Sequence, residues 1–345
     1  MTRKKIFDYV IGNPPYQDES VGKQKKYAPP IYDDFLDAAI QVGTKVEMIH
    51  PARFLFNAGG TPKSWNLKML NDPHFKVLKY KQDSREIFPN VDIKGGIAIT
   101  YRDNTQNFGA IKIFTSFPEL NSILEKVYNT PKFTSFRTIM MNRGLYRFSA
   151  KAYADHPKEL EKLSDSRIGA GVFEHMPDLF TEKKPQDNYT YAKFLGLLHT
   201  KRVYRWFRLD YFKTVETFQK YKVFLPAANG SGALGEVMST PLIGEPLIGV
   251  TETFLSIGSF DRVDEAEHCL KYIKTKFARA MLGILKITQH NSPDKWQYVP
   301  LQDFTAKSDI DWSKSIHEID RQLYKKYGLS EDEIKFIESH VKEMK

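Results

Sequence analysis

The fold is decided by the stretch Phe7-Asp8-Tyr9-Val10-Ile11-Gly12-Asn13-Pro14-Pro15-Tyr16. Its first six residues are mostly apolar and predict a strand. Two consecutive prolines cannot continue that strand or enter a helix interior, so the backbone must leave the sheet in a stiff, extended turn. Such a turn fixes the side-chain amide of Asn13, the carbonyl of Pro14 and the ring of Tyr16. Two acceptors and one ring fit a flat base that carries an amino group.

This turn resembles the Asn-Pro-Pro-Tyr motif of amino-group DNA methyltransferases, in particular the γ-type N6-adenine enzymes of type II restriction-modification systems. The resemblance implies four catalytic residues, which are Asn13, Pro14, Pro15 and Tyr16. Asn13 Oδ1 and the Pro14 carbonyl would accept hydrogen bonds from the adenine amino group, and Tyr16 would stack on a base rotated out of the duplex. The alternative interpretation is a rigid turn that only ends a strand.

The same resemblance implies S-adenosylmethionine as the cofactor, with contacts from Ile11 and Asn13. Transfer of the methyl group is direct, so no metal ion and no covalent nucleophile are expected. Phe88 stands just before a later strand, where an aromatic residue of the family packs against the flipped base. A core Phe beside a turn proline is the other interpretation of Phe88.

Composition limits the function classes. At 345 residues, with 41% hydrophobic and 27% charged residues, the chain predicts a globular protein of two domains. The single cysteine, Cys269, excludes an intramolecular disulfide and predicts a reducing, cytoplasmic location. No apolar run approaches the roughly 20 residues that span a bilayer, and no signal peptide is recognisable. A net charge of +9 favours a polyanionic partner.

Strands and helices alternate after the proline turn. We predict helices at 31–40 and 65–70 and strands at 45–51, 77–80 and 96–101. This alternation predicts a largely parallel α/β sheet. With the resemblance, it predicts a partial Rossmann-like methyltransferase sheet followed by a mixed α+β target-recognition domain with a helical C-terminus. The predicted borders are 1–116 for the catalytic half, 117–302 for DNA recognition and 303–345 for the helical tail.

The segment that would bind the cofactor is not recognisable upstream of Asn13. The family resembled holds S-adenosylmethionine with a glycine-rich strand-to-loop motif upstream of Asn-Pro-Pro-Tyr, and only twelve residues precede Asn13. We therefore expect a second polypeptide, or an upstream segment, to supply that motif, and we expect an exposed apolar sheet edge beside 7–12. Gly230–Gly235 and Gly169–Gly171 are weak substitutes, because neither joins a buried strand to a long helix.

Basic residues mark the second half. Lys201 to Arg208 alternates so that Arg202, Tyr204, Trp206 and Arg208 share one face of a strand. Duplex DNA is the partner we expect here, through eight candidate contacts: Lys201, Arg202, Arg205, Arg208, Lys286, Gln289, His290 and Asn291. A half-buried strand with solvated arginines is the alternative.

The sequence therefore predicts site-specific DNA adenine-N6 methylation, with base flipping, as the target-base and recognition part of a restriction-modification methylase. One rival is a catalytically inactive DNA-binding specificity subunit or decayed methylase. A third reading is an RNA or protein methyltransferase, because an Asn-Pro-Pro-Tyr motif also serves a glutamine amide. The basic second half favours DNA.

Overall fold

A computed structural model describes residues 5–18, 28–115 and 117–344. The chain divides into two compact units, residues 1–121 and 122–345. Residues of the predicted tail, 303–345, belong to the second unit. The polar, lysine-rich composition of residues 17–28 predicts a loop, and most of this segment lies outside the described residues.

The first unit is a four-stranded sheet with two helices. Its strands are β1 (Phe7–Gly12), β2 (Gly43–Pro51), β3 (Phe75–Lys81) and β4 (Ile97–Asp103). Its helices are α1 (Tyr32–Val42) and α2 (Lys63–Leu70), and a 3-10 turn occupies Arg53–Phe56. All four predicted strands and both predicted helices form, and the chain is α/β.

The predicted parallel sheet is wrong in part. The strand order is β1-β2-β4-β3, and only the β1–β2 pair is parallel. Strand β4 runs antiparallel to both of its neighbours. The connection from β3 to β4 contains only a 3-10 turn at Ser84–Glu86, and a parallel crossover would need a longer segment, usually a helix.

Strand β1 forms an open edge of this sheet. It pairs with β2 from Phe7 opposite Gly43 to Gly12 opposite Met48, and no other described strand pairs with it. Helix α1 packs on β2, where Val46, Met48 and His50 are buried. On β1 the apolar side chains Phe7, Tyr9 and Ile11 remain 54%, 46% and 74% exposed. The expected exposed apolar edge is therefore present.

The second unit contains two three-stranded sheets. One has the order β6-β5-β9 and the other β10-β7-β8. The strands are β5 (Tyr191–Leu198), β6 (Lys201–Arg208), β7 (Tyr221–Pro226), β8 (Leu242–Gly244), β9 (Ile248–Val250) and β10 (Phe254–Phe260). An aromatic core includes Phe180, Phe194, Phe207 and Phe212.

Helices complete this unit. They are α3 (Pro118–Tyr128) at its border, α4 (Ala150–Asp155), α5 (Pro157–Leu160), α6 (Val172–His175), α7 (Val263–Lys274), α8 (Lys276–Gly283), α9 (Ile316–Lys326) and α10 (Glu331–His340). The sequence pattern of Ser330 and Glu333 predicts a capping box, and this box starts α10. Ser315 with Glu318 starts α9 in the same way. No helix in the described part of the chain is both long and apolar enough to cross a membrane.

Candidate active site

A cavity of about 800 Å³ lies at the ends of the two parallel strands of the first unit. Strand β1 delivers Asn13 to Tyr16 to its wall, and β2 ends there at Pro51. Ligands of open α/β sheets collect outside the carboxyl ends of the strands, and this volume lies in the usual range for small-molecule sites. The sequence-predicted turn therefore borders a space that can receive a ligand.

The four residues of the turn differ in exposure. Asn13 and Pro15 are exposed, Pro14 is buried, and Tyr16 is half-buried. The hydroxyl of Tyr16 is buried without a hydrogen-bond partner among the described residues, and burial raises its pKa. The Asn13 amide is thus accessible from the cavity, while the chain behind it is held firmly.

Main-chain bonds hold the turn against the start of α1. The amide of Ile31 donates to the carbonyl of Tyr16 at 3.3 Å, and the amide of Asp18 donates to Pro29 at 2.9 Å. Ile31 and Tyr32 then contribute to the cavity wall. Behind Tyr32 the His50 ring is fully buried, with Nε2 2.8 Å from Thr100 Oγ1.

A loop between β3 and β4 closes another side of the cavity. Val91, Asp92 and Ile93 line it. The buried Ser84 holds this loop, because its hydroxyl donates to the Val91 carbonyl at 2.6 Å and accepts from the Ile93 amide at 2.8 Å. Phe88, the predicted second stacking residue, is half-buried on the same loop but does not line the cavity.

Arg53 is a site residue that sequence reasoning missed. It lies two residues after the end of β2 and lines the cavity. Its Nε donates to the Lys94 carbonyl. Gly95, at φ +89°, lets the loop pass so close that a Cβ there would lie 2.6 Å from Arg53 Cγ. None of the described carboxylates forms an ion pair with Arg53. Asp92, which also lines the cavity, pairs with Lys94 at 2.7 Å. The only sequence signal was a cation two residues after a strand-ending proline.

The predicted cofactor contacts divide between two places. Asn13 lines the cavity, whereas Ile11 projects from β1 outside it and is 74% exposed. An S-adenosylmethionine molecule that touched both residues would extend past the open edge of the sheet. The glycines that line the cavity, Gly59 and Gly60, lie between the 3-10 turn and α2 and not directly after β1.

The glycine-rich loop Gly230–Gly235 is closed on the protein itself. The carboxylate of Glu236 accepts from the amides of Ser231 and Gly232 at 2.7 and 2.9 Å, and from Lys286 Nζ at 2.7 Å. An internal carboxylate thus occupies the loop amides that an anionic group of a ligand would need. Gly169–Gly171 lies beside the one-turn helix α6, with no strand before it.

The basic strand forms as predicted, but its arginines have different surroundings. Arg208 pairs with Asp210 at 2.6 Å and lies 3.5 Å over the Tyr189 ring, so its side chain is only 11% exposed. The hydrogen bond to Asp210 raises the pKa of Arg208 further. Arg202 and Arg205 form no ion pair among the described residues and bond only to main-chain carbonyls. These two remain proposed DNA contacts, as does the exposed Lys201.

The other four predicted DNA contacts, at 286 and 289–291, also divide into exposed and buried residues. Gln289 and His290 are exposed. Lys286 is buried and pairs with Glu236, and Asn291 is buried with Nδ2 2.9 Å from the Pro226 carbonyl. Burial corrects the prediction for Lys286 and Asn291, which hold the protein together and cannot reach a nucleic acid in this arrangement.

A protein-family match covers most of the residues that line this cavity. Residues 1–88 match the family model described as Eco57I restriction-modification methylase. An uncharacterized adenine-specific methylase of Mycoplasma pneumoniae (strain ATCC 29342 / M129 / Subtype 1) is 28% identical over 165 residues, which are 47% of this chain and 38% of that protein. The chain therefore matches less than half of the length of this curated relative. The solved structure of the type IIG restriction endonuclease BpuSI aligns with 96% of this chain and 53% of its own, at a TM-score of 0.36 and 10% identity.

Proposed function

We propose that this chain methylates adenine N6 in DNA at specific sites. The match of residues 1–88 to the Eco57I restriction-modification methylase model and the similarity to an adenine-specific methylase support this proposal. It would act as the target-base and DNA-recognition part of the enzyme. The observation that carries the proposal is the position of Asn13 to Tyr16 on a cavity at the carboxyl ends of two parallel strands.

The turn supplies what this reaction needs from a protein. An adenine amino group is a poor nucleophile, since its lone pair is delocalised into the ring. Acceptors at Asn13 Oδ1 and the Pro14 carbonyl, bonded to the two amino hydrogens, would favour the pyramidal nitrogen that attacks a methyl group. Tyr16 would stack on the base and offset part of the few kcal/mol that flipping costs. Positioning and electrostatics then carry the reaction.

Arg53 adds a fixed cation to this site. The aliphatic part of its side chain packs beside Gly95, and its Nε donates to the Lys94 carbonyl. The two terminal nitrogens of the guanidinium remain available to a ligand. The phosphate of a flipped nucleotide is the anion that such a group would bind. We assign Arg53 to that contact.

S-adenosylmethionine supplies the electrophilic methyl group when it is bound. Asn13 and Ile11 would contact one side of it, and the open edge at β1 leaves its other side to residues outside the described part of the chain. A second polypeptide that pairs with this edge is the partner we propose. Parallel strands are normally covered on both faces, and Phe7, Tyr9 and Ile11 are not.

The direct test is methyl transfer to DNA. The 345-residue chain is incubated with unmethylated plasmid and millimolar S-adenosylmethionine, which fills even a weak half-site, and N6-methyldeoxyadenosine is measured by mass spectrometry. Wild type should exceed the background, and Asn13→Ala should not. Asn107→Ala, an exposed position off the cavity, is the matched control. Equal background from wild type and Asn13→Ala would contradict the proposal for this chain.

A further inference from the structure

Another concave site lies in the second unit, residues 122–345. This groove of about 360 Å³ is lined by two arginines, one carboxylate and several small or aromatic side chains, among them Arg143, Thr200, Arg202, Glu252, Phe254 and His290. Neither Arg143 nor Glu252 was singled out by sequence motifs. The groove lies where the β5–β6 hairpin turns, so it continues the basic strand described above.

Arg143 is anchored in this groove from behind. Glu252 is only 9% exposed and lies between two guanidinium groups, with Oε1 2.7 Å from Arg167 Nη1 and Oε2 3.6 Å from Arg143 Nη2. Gly144, at φ +73°, brings the chain so close that a Cβ there would lie 2.9 Å from Glu252 Oε1. The Arg143 side chain remains 53% exposed. The ion pair with Glu252 therefore keeps the Arg143 guanidinium at the groove, where its exposed part can contact a ligand.

Arg202 is oriented by different groups. Its Nη1 donates to the Thr240 carbonyl at 2.7 Å, and its guanidinium lies 5.6 Å from the centre of the Phe254 ring. No described carboxylate forms an ion pair with it. A planar cation held by one carbonyl and one ring keeps further donors for a ligand.

The adjoining hairpin has the shape of a DNA-reading element. His199 and Thr200 form its two-residue turn, both with positive φ, and the strands carry Tyr204 and Trp206 on the Arg202 face. Lys193 lies 5.1 Å over the Trp206 ring. The part of the hairpin near its turn is two-stranded, because β9 pairs with β5 only at 193–195, and a ribbon of this kind fits the major groove of duplex DNA.

We propose that Arg143 and Arg202 read guanine bases of the recognition sequence, each through O6 and N7, with Glu252 as a positioning residue for Arg143. This inference rests on the proposed function, whose recognition step it specifies. Base edges suit the groove, because a planar guanidinium matches the O6 and N7 acceptors of guanine and the Phe254 ring gives the groove an apolar wall.

The test selects binding sites from a randomised duplex library with the full chain at moderate salt. Wild type should enrich a sequence that contains guanines. Arg143→Ala and Arg143→Lys should both relax one guanine position roughly tenfold or more, since lysine keeps the charge but loses the fork. Glu252→Gln should relax that same position, and Arg202→Ala a different one. Arg262→Ala, an exposed arginine paired with Asp264, is the control and should leave the consensus unchanged.

Each outcome decides a different point. A wild-type consensus that persists in Arg143→Ala and Arg202→Ala overturns this inference and leaves the proposed function standing. Weaker binding to all sequences with a lower salt dependence shows phosphate contacts and also overturns it. If wild type selects no sequence, both the inference and the recognition role of this chain fail. Thermal unfolding of each variant controls for folding, and the Arg143 variants carry the test if Glu252→Gln does not fold.

Discussion

The His50 ring stacks on the Tyr32 ring, with centroids 5.6 Å apart and planes 7° from parallel. This contact joins the end of β2 to the first turn of α1, and Tyr32 forms part of the cavity wall. Phe54 and Trp65 pack around the same pair. The part of the cavity wall that Tyr32 forms is therefore supported by an aromatic cluster that contains the His50 imidazole.

Protonation of His50 should loosen this support. Burial lowers the pKa of His50 to about 4 from its ordinary 6.5, although the Pro51 carbonyl acts to raise it. The unfolded chain therefore binds the proton first, and stability is lost as the pH falls from 6.5 to 4, by about 3 kcal/mol. The free energy of unfolding is measured in urea at several pH values, and hydrogen exchange of residues 43–51 reports the local stability of β2. His50→Gln should show a smaller loss, and an equal loss would contradict the assignment.

Cofactor binding by this chain alone should be weak. The open edge at β1 and the exposed Ile11 leave one side of S-adenosylmethionine in water, and the loop Gly230–Gly235 is occupied by Glu236. We expect a dissociation constant far above the micromolar range in which many enzymes use substrates. Isothermal titration of the 345-residue chain measures it. Saturable micromolar binding would show that the described residues form a complete cofactor site.

The Glu236 carboxylate should matter for stability and not for the cofactor. Burial acts to raise its pKa, but the bonds from Lys286, Ser231 and Gly232 outweigh burial and hold the pKa below its usual range. Its contribution is present above pH 4.5 and is lost as the pH falls through the folded pKa. Glu236→Gln should cost about 3 kcal/mol, because Lys286 stays buried without its partner. Unfolding in urea tests this, and an unchanged stability would leave the loop free for an anion.

The arginines of β6 should separate into two classes. Arg205→Ala should weaken binding to all duplexes and lower the slope of log affinity against log salt by about 1, as one phosphate contact is lost. Arg208→Ala should instead lower the melting temperature, because Arg208 pairs with Asp210 and lies against Tyr189. Fluorescence anisotropy at several salt concentrations, with a melting curve for each variant, measures both effects. If Arg208→Ala alone changes the slope, the division is wrong.

The sequence predicted secondary structure correctly where residues close together in the chain determine it. The apolar run before Pro14 and Pro15 specifies both β1 and its end, and Ser330 with Glu333 specifies the start of α10. The direction of β4 was missed, because it depends on a connection that lacks a helix. Lys286 was assigned to DNA, because its partner Glu236 lies fifty positions earlier and no spacing rule links them. Arg53 and Arg143 were missed for the same reason: loops remote in sequence hold them in place.

The central claim is that the cavity beside Asn13 and Tyr16 receives an adenine rotated out of the duplex. We would place 2-aminopurine, a fluorescent adenine analogue quenched by stacking, at each adenine of a duplex selected by the chain. This measurement needs no cofactor. The account predicts a several-fold rise in fluorescence at one adenine position on binding, and a smaller or altered signal with Tyr16→Ala. Saturated binding without a change at any adenine would contradict it.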